Sequence, residues 1–312
     1  MALLRAAAVP FDVASSARAR ADLQGDAEPM FASDDVTDVP TVIVHPRNGG
    51  APVWLFADSP HHWPLGAVPA HRGGALAFVV QTDRAEQVRV PAVEGASTSI
   101  ALLGSGKVTT ERQELEAQVR LGDHTGYQLA EQLRRRTADV QKLAARQIGQ
   151  QFFANWRIGN AQPVELEPGG KPLQLRLQLR GTAPQEDGDR WLLPLPFPGA
   201  DLRQTFGDRD ERTLPMKVET DLELTASITF ETGDDLAFVE LPPPLHVHFL
   251  MLDYELTVSQ HGRGIRIDRR VRVRPGTVPP NLYGDWIRWL GVVDSAEERR
   301  LVLRRVAVTA PR

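Results

Sequence analysis

His246 and His248 are the side chains of this sequence whose spacing most suggests metal chemistry. They lie in PLHVHFL, where strand alternation turns both to one face. Such a pair can hold zinc when a third ligand and supporting hydrogen bonds converge on it. Asp253 and Glu255 are near enough in sequence to serve. A half-exposed edge strand following Pro242–Pro244 explains the same residues without a metal, so no cofactor is expected. His61 and His62 are neighbours in a loop and cannot easily meet on one ion. The run Gly104–Lys107, GSGK, has Ala101 and Val108 where a phosphate loop needs Gly and Ser or Thr. A β-turn between two strands is expected there. The sequence contains no GxSxG elbow and no HExxH helix. Cysteine is absent, which removes a thiol nucleophile, disulfides and thiolate zinc sites from this chain.

Bulk composition narrows the partners. Hydrophobic residues make up 42% and charged residues 24% of 312, as in an ordinary globular protein of about two to three domains. The 36 basic and 40 acidic residues leave a net charge of −4. That offers no basic face for a phosphate backbone, so nucleic acid is not an expected partner. No apolar stretch is long enough for a transmembrane helix. The opening MALLRAAAV is apolar but short, and Pro10, Phe11 and Asp12 do not follow it as a cleavage site would. It reads as a helix end rather than a signal peptide.

The elements that would carry any site are mostly strands. Val42–Val44 and Val53–Leu55 flank Asn48, Gly49 and Gly50, which is a hairpin signal. Ala75–Val80 is a further apolar run, and residues 20–38 read as a polar loop. Leu115, Ala117, Val119 and Leu121 alternate along a strand. One helix is expected over 124–153, with Leu129, Leu133, Val140, Leu143 and Ile148 facing the core. Its other face bears Arg134, Arg135, Arg136, Lys142 and Arg146, and reads as solvated. From Met216 to Phe230 every even position is apolar or Thr220, which predicts one long half-buried strand. Leu173–Leu179 and Ile265–Val273 repeat that signature. Tyr283, Trp286, Ile287 and Leu290 predict a short amphipathic helix after Pro279 and Pro280, and Leu301–Val308 a last strand.

Several stretches carry a resemblance. ALLRAAAVPFDVASSARA near the start, VPTVIVH at 39–45 and VWLFADSPHHWPLGAVP at 53–69 resemble the strands that follow the cysteine helix in bacterial transglutaminase-like proteins. RDERTLPMKVE at 209–219 and VPPNLYGDWIRWLGVVDSAEERRLVL at 278–303 are similar to the C-terminal β region of the same proteins. The fold this implies is mainly β with α+β parts. Residues 1–80 would be a partial transglutaminase-like core and 81–185 a β domain with the long helix. An antiparallel β-sandwich would occupy 186–312.

The resemblance also implies a site that this sequence does not complete. Such an enzyme needs a thiolate, a histidine to activate it and an acid to orient the histidine. The cysteine helix would precede Met1. Thr41 stands where the family histidine would stand, and Phe56 where the aspartate would stand. Asp58 lies two residues on, and His45 lies four beyond the histidine position. The expectation is a non-catalytic relative, an interaction module of the bacterial cell envelope that binds a protein, peptide or glycan. Two readings stay open beside it. One is a C-terminal fragment of a cysteine protease, amidase or acyl transferase whose cysteine half lies upstream. The other is a structural β-domain spacer. The periplasmic or envelope location comes from the resemblance, since no signal peptide is read here.

Overall fold

Apolar–polar alternation becomes strand after strand in the computed structural model, which describes residues 8–16, 39–56, 68, 72–80, 85–91, 98–122, 124–166, 171–197, 199–207, 209–218 and 220–306. The chain divides into two units, one of residues 1–97, 123–131 and 167–172, the other of residues 98–122, 132–166 and 173–312. The mainly β class is as expected, with several antiparallel sheets and few helices. Among the described residues no helix is long and apolar enough to cross a membrane.

The first unit is built on a five-stranded antiparallel sheet of order β3-β2-β1-β4-β5. Its strands are β1 (Phe11–Ser16), β2 (Val39–Val44), β3 (Val53–Phe56), β4 (Leu76–Val80) and β5 (Ala85–Arg89). The predicted hairpin is present, with Val44 opposite Val53. Gly49 takes φ +73° in its turn, a conformation that L side chains rarely adopt. Ala14, Ile43, Trp54, Ala75, Ala77, Val79 and Val90 form the core. Leu3 and Leu4, read above as a helix end, lie outside the described residues, as do the loop at 20–38 and His61 and His62.

The second unit holds an eight-stranded sheet of order β15-β16-β17-β13-β6-β7-β9-β8. Its strands are β6 (Thr98–Val108), β7 (Gln113–Leu121), β8 (Arg157–Val164), β9 (Gln174–Gly181), β13 (Leu222–Thr232), β15 (Leu245–Phe249), β16 (Leu252–His261) and β17 (Gly264–Val273). Two antiparallel quartets meet at one parallel seam, where β6 and β13 run side by side from Thr98 and Leu222 to Val108 and Thr232. This sheet takes strands from both sides of residue 185. A four-stranded antiparallel sheet, β10 (Gln185–Asp187), β11 (Arg190–Pro194), β19 (Arg300–Arg305) and β14 (Leu236–Glu240), and a pair of β12 (Met216–Val218) with β18 (Gly276–Val278) complete the strands. Among the described residues the helices are α1 (His124–Arg134), α2 (Ala138–Phe152), α3 (Leu202–Phe206) and α4 (Tyr283–Glu297), with a 3-10 turn at Pro280–Leu282.

Three expectations need correction. The GSGK run is no turn, because it lies inside β6. A Cβ at Gly106 would sit 2.6 Å from the Phe230 ring and 2.5 Å from the Glu114 carbonyl, so the glycine is what lets a strand pass there. The alternation over 216–230 belongs to two strands, β12 and β13, that join different sheets. Period two records which face is dry, not which strand is the partner. Finally, the helix over 124–153 breaks at 135–137. Gln141 Nε2 donates to the carbonyls of Leu133 at 3.0 Å and Arg136 at 3.1 Å, satisfying the open end of α1. The break resets the helical phase. Ala145 and Gly149 are the buried residues of α2, and a Cβ on Gly149 would lie 3.1 Å from Ile158 and Leu177. Val140 and Leu143, expected in the core, are 44% and 56% exposed.

The C-terminal helix organises the second unit. Tyr283, Trp286 and Leu290 are buried as their spacing predicts, Ile287 is half-buried, and Val293 extends the buried face. Trp286 Nε1 donates to the Phe206 carbonyl at 3.0 Å. Both carboxylate oxygens of Asp294 accept from the backbone of α3, at Leu202 and Arg203, each at 2.9 Å. One helix thus caps the other, because Asp201 at the N-terminus of α3 sits at φ +45° and makes no side-chain cap. One turn on, Glu297 meets Arg269 of β17 with their side chains 3% and 4% exposed. Arg269 Nε lies 2.7 Å from Glu297 Oε1 as a charge contact, and Nη2 donates to Oε2 at 3.3 Å. The Ala200 amide donates to the same Oε2 at 2.7 Å, and the guanidinium lies 4.6 Å from the Phe197 ring centroid. Burial foremost holds the Glu297 carboxyl above its usual range, against the pull of Arg269 and Ala200 and with a push from Asp294. The Tyr254 phenol is raised beside it, by burial first and then by the charge of Glu297.

Arg269→Met strands a buried carboxylate and should cost about 3–5 kcal/mol, whereas Arg269→Met with Glu297→Leu should recover most of it. Chemical denaturation of the three proteins checks this. The folded state holds the Glu297 proton more tightly than the unfolded chain does. Its contribution is therefore complete below the unfolded value near 4.5 and is lost as pH rises through the raised folded value. Glu297→Gln should remove that slope, so the stability of the wild type relative to the variant falls as pH rises from about 4.5.

Candidate functional site

In the first unit, the strands set Thr41 and Phe56 side by side. Thr41 of β2 is the cross-strand partner of Phe56 of β3 on one side and of Ala14 on the other. It is fully buried. Phe56 stacks on Trp54 with ring centroids 6.5 Å apart and packs against the core. Where the resemblance calls for an imidazole facing a carboxylate, a buried hydroxyl faces an aromatic ring. His45 lies just past the end of β2, four residues beyond Thr41 and about 13 Å away at strand rise. Its Nε2 is 2.8 Å from Asp12 Oδ2, with the two side chains 43% and 35% exposed. A histidine–carboxylate pair therefore exists at the end of this sheet, displaced from the expected place and engaged with a different acid. Asp58 lies outside the described residues.

In the second unit, the outer face of the eight-stranded sheet collects polar side chains. His246 faces Glu255 and His248 faces Asp253 across β15 and β16. His246 Nδ1 stands 3.8 Å from Glu255. His248 Nδ1 contacts Asp253, whose other oxygen takes Arg274. Burial pushes the Asp253 carboxyl up, but hydrogen bonds from His248 and Arg274 outweigh it and leave it below its usual range. The alternation argument placed the histidines correctly. Each is matched to its own carboxylate, and among the described residues no three His, Cys, Asp or Glu side chains converge as a metal site.

Further along that face, cross-strand partners form a ladder of alternating charge: Glu231, Lys107, Glu114 and Arg180, on β13, β6, β7 and β9. Opposite charges directly across a sheet support each other. These residues, with Glu116, Gln178 and Thr229, line an open groove of about 750 Å³. Sequence reasoning had put Lys107 in a turn and singled out none of the others. The signal was the recurrence of opposite charges at strand positions whose pairing only the fold reveals.

Residues 190–303 match DUF3858, a domain of unknown function with solved structures. The span runs from β11 into β19 and includes Arg269 and Glu297. Over 97% of its length the chain is similar in fold to the crystal structure of a putative protease from Parabacteroides distasonis, at 9% identity and a TM-score of 0.50. The chain spans 41% of that protein. No curated protein matches it. The likeness to the longer protein is one of fold alone.

Within the DUF3858 span, one acid on the polar face is pinned. Asp268 Oδ1 accepts from Ser227 Oγ at 2.7 Å, and Oδ2 accepts from Arg266 Nε at 2.8 Å. The Arg266 hydrogen bond foremost, then that from Ser227, hold its carboxyl below the usual range in spite of partial burial. Its contribution is present above the unfolded value near 3.8 and is lost as pH falls through the folded value. Asp268→Asn should therefore be less stable than the wild type at neutral pH, with the difference closing below about pH 3.8. Urea midpoints across pH test this.

Proposed function

We propose that this chain is a transglutaminase-like relative that has lost its acyl-transfer chemistry and serves as a binding module of the bacterial cell envelope. The carrying observation is Thr41 opposite Phe56. The resemblance needs an imidazole and a carboxylate at that pair, and neither residue can take a proton from a thiol. A cysteine brought from outside this chain would meet no base there. His45 is a poor substitute, since it already faces Asp12 and stands about 13 Å along the strand.

What supports binding is the outer face of the large sheet. The groove at Lys107, Glu114 and Arg180 offers charges of both signs with amide and hydroxyl groups. That mixture suits an extended polypeptide, whose backbone and side chains present donors and acceptors of both kinds. The envelope location rests on the resemblance.

Purified protein should release no product from fluorescent casein and transfer no amine to a glutamine donor peptide above the enzyme-free rate. Turnover that disappeared in His45→Ala or Thr41→Ala would defeat the reading, because it would put working chemistry at the vacated place.

A further inference from the structure

On the inner face of the eight-stranded sheet, at the parallel seam, lies a crevice of about 170 Å³. It is lined by Phe152 and Phe153 at the end of α2, by Phe197, and by Leu102 and Leu224 of the seam strands. Ala226 opens it. This residue is the register partner of Leu102 in β6 and of Arg269 in β17, so a methyl stands where a larger side chain would fill the space. The following inward residues of β13, Ile228 and Phe230, are large and fully buried.

We propose that this crevice is a binding site for a small neutral molecule with one or two aromatic rings. Size is the first argument. An apolar cavity of about 150 Å³ lined by Leu, Ile and Phe stays dry and takes up benzene, and this one is slightly larger. The walls are the second, since three phenylalanine rings offer the offset and edge-on contacts that aromatic guests prefer. The third is charge. Arg269 also lines the crevice, where a guanidinium favours a π face. Glu297 engages both its Nε and its Nη2. That end of the crevice is electrically balanced, so an anionic ring gains no free cation and meets a carboxylate nearby. The site is separate from the polar groove on the opposite face of the sheet.

Indole is a suitable probe. Calorimetric titration should give saturable binding of one indole per chain, and benzoate should give none. Ala226→Leu should weaken indole about tenfold or more, the scale of added methylenes in a tight apolar site, with an unchanged or higher melting temperature because it fills a void. In the unsubstituted protein, bound indole should show nuclear Overhauser contacts to the methyls of Leu102 and Leu224, a readout that does not depend on the variant folding. Absent saturation, equal affinity in folded Ala226→Leu, or missing methyl contacts would each overturn the proposal. So would benzoate binding as tightly as indole. N-acetylphenylalaninamide binding more tightly than indole would overturn it too, in favour of a side chain delivered by a polypeptide.

Discussion

The second unit turns on the contact between Arg269 and Glu297, two charges withdrawn from water and fastened to three separate parts of the chain. Arg269 projects from the middle of β17, Glu297 ends α4, and the Ala200 amide brings in the segment leading to α3. Desolvating such ions costs several kcal/mol each, which only good geometry can offset. What the pair contributes is definition. Purely apolar contacts between α4 and the sheet would tolerate a sliding of the helix, whereas a carboxylate shared between a guanidinium and a backbone amide does not. Asp294, one turn earlier, fixes the same helix to the start of α3. The two acids hold an otherwise apolar helix in one register.

That definition extends to the seam. Arg269 sits beside Ala226, and Ala226 beside Leu102, so the ion pair lies one strand away from the parallel join of the two antiparallel quartets. The small side chain of Ala226 leaves room on the inner face there. On the outer face the same strands set Glu231, Lys107, Glu114 and Arg180 in one row. One register thus produces a ring-lined crevice on one side and an alternating charge ladder on the other.

Much of this was legible in local pattern. The hairpin around Gly49, the faces of β7 and β17, the buried side of α4 and the pairing of His246 and His248 on one face all follow from periods of two and 3.6. Partner choice was not legible. A strand's alternation is the same whichever sheet it joins, so the change of sheet between β12 and β13 and the parallel neighbour of β6 left no local mark. The helix break at 135–137 shifted phase and exposed Val140 and Leu143. One signal was present and went unread. Arg269 occupies the inward place in the series Ile265, Ile267, Arg269, Val271, Val273, and Glu297 the inward place after Leu290 and Val293. A charge in the dry phase of each of two elements is the mark of a buried pair.

In the first unit, Thr41 is buried and Phe56 packs against the core. A histidine at position 41 would put an imidazole with two polar nitrogens at a fully buried site, and an aspartate at 56 would add a carboxylate beside it. Catalytic groups of that kind are held against the preference of the fold and persist only where chemistry selects for them. Thr41 and Phe56 reverse the balance. The phenyl ring stacks on Trp54 and adds to the cluster around Ile43 and Val79, and a β-branched residue suits the strand. On the reading proposed above, such replacements are favoured by stability alone. On that reading, an aromatic ring across from a buried hydroxyl is what such a sheet would carry after losing its chemistry and keeping its fold.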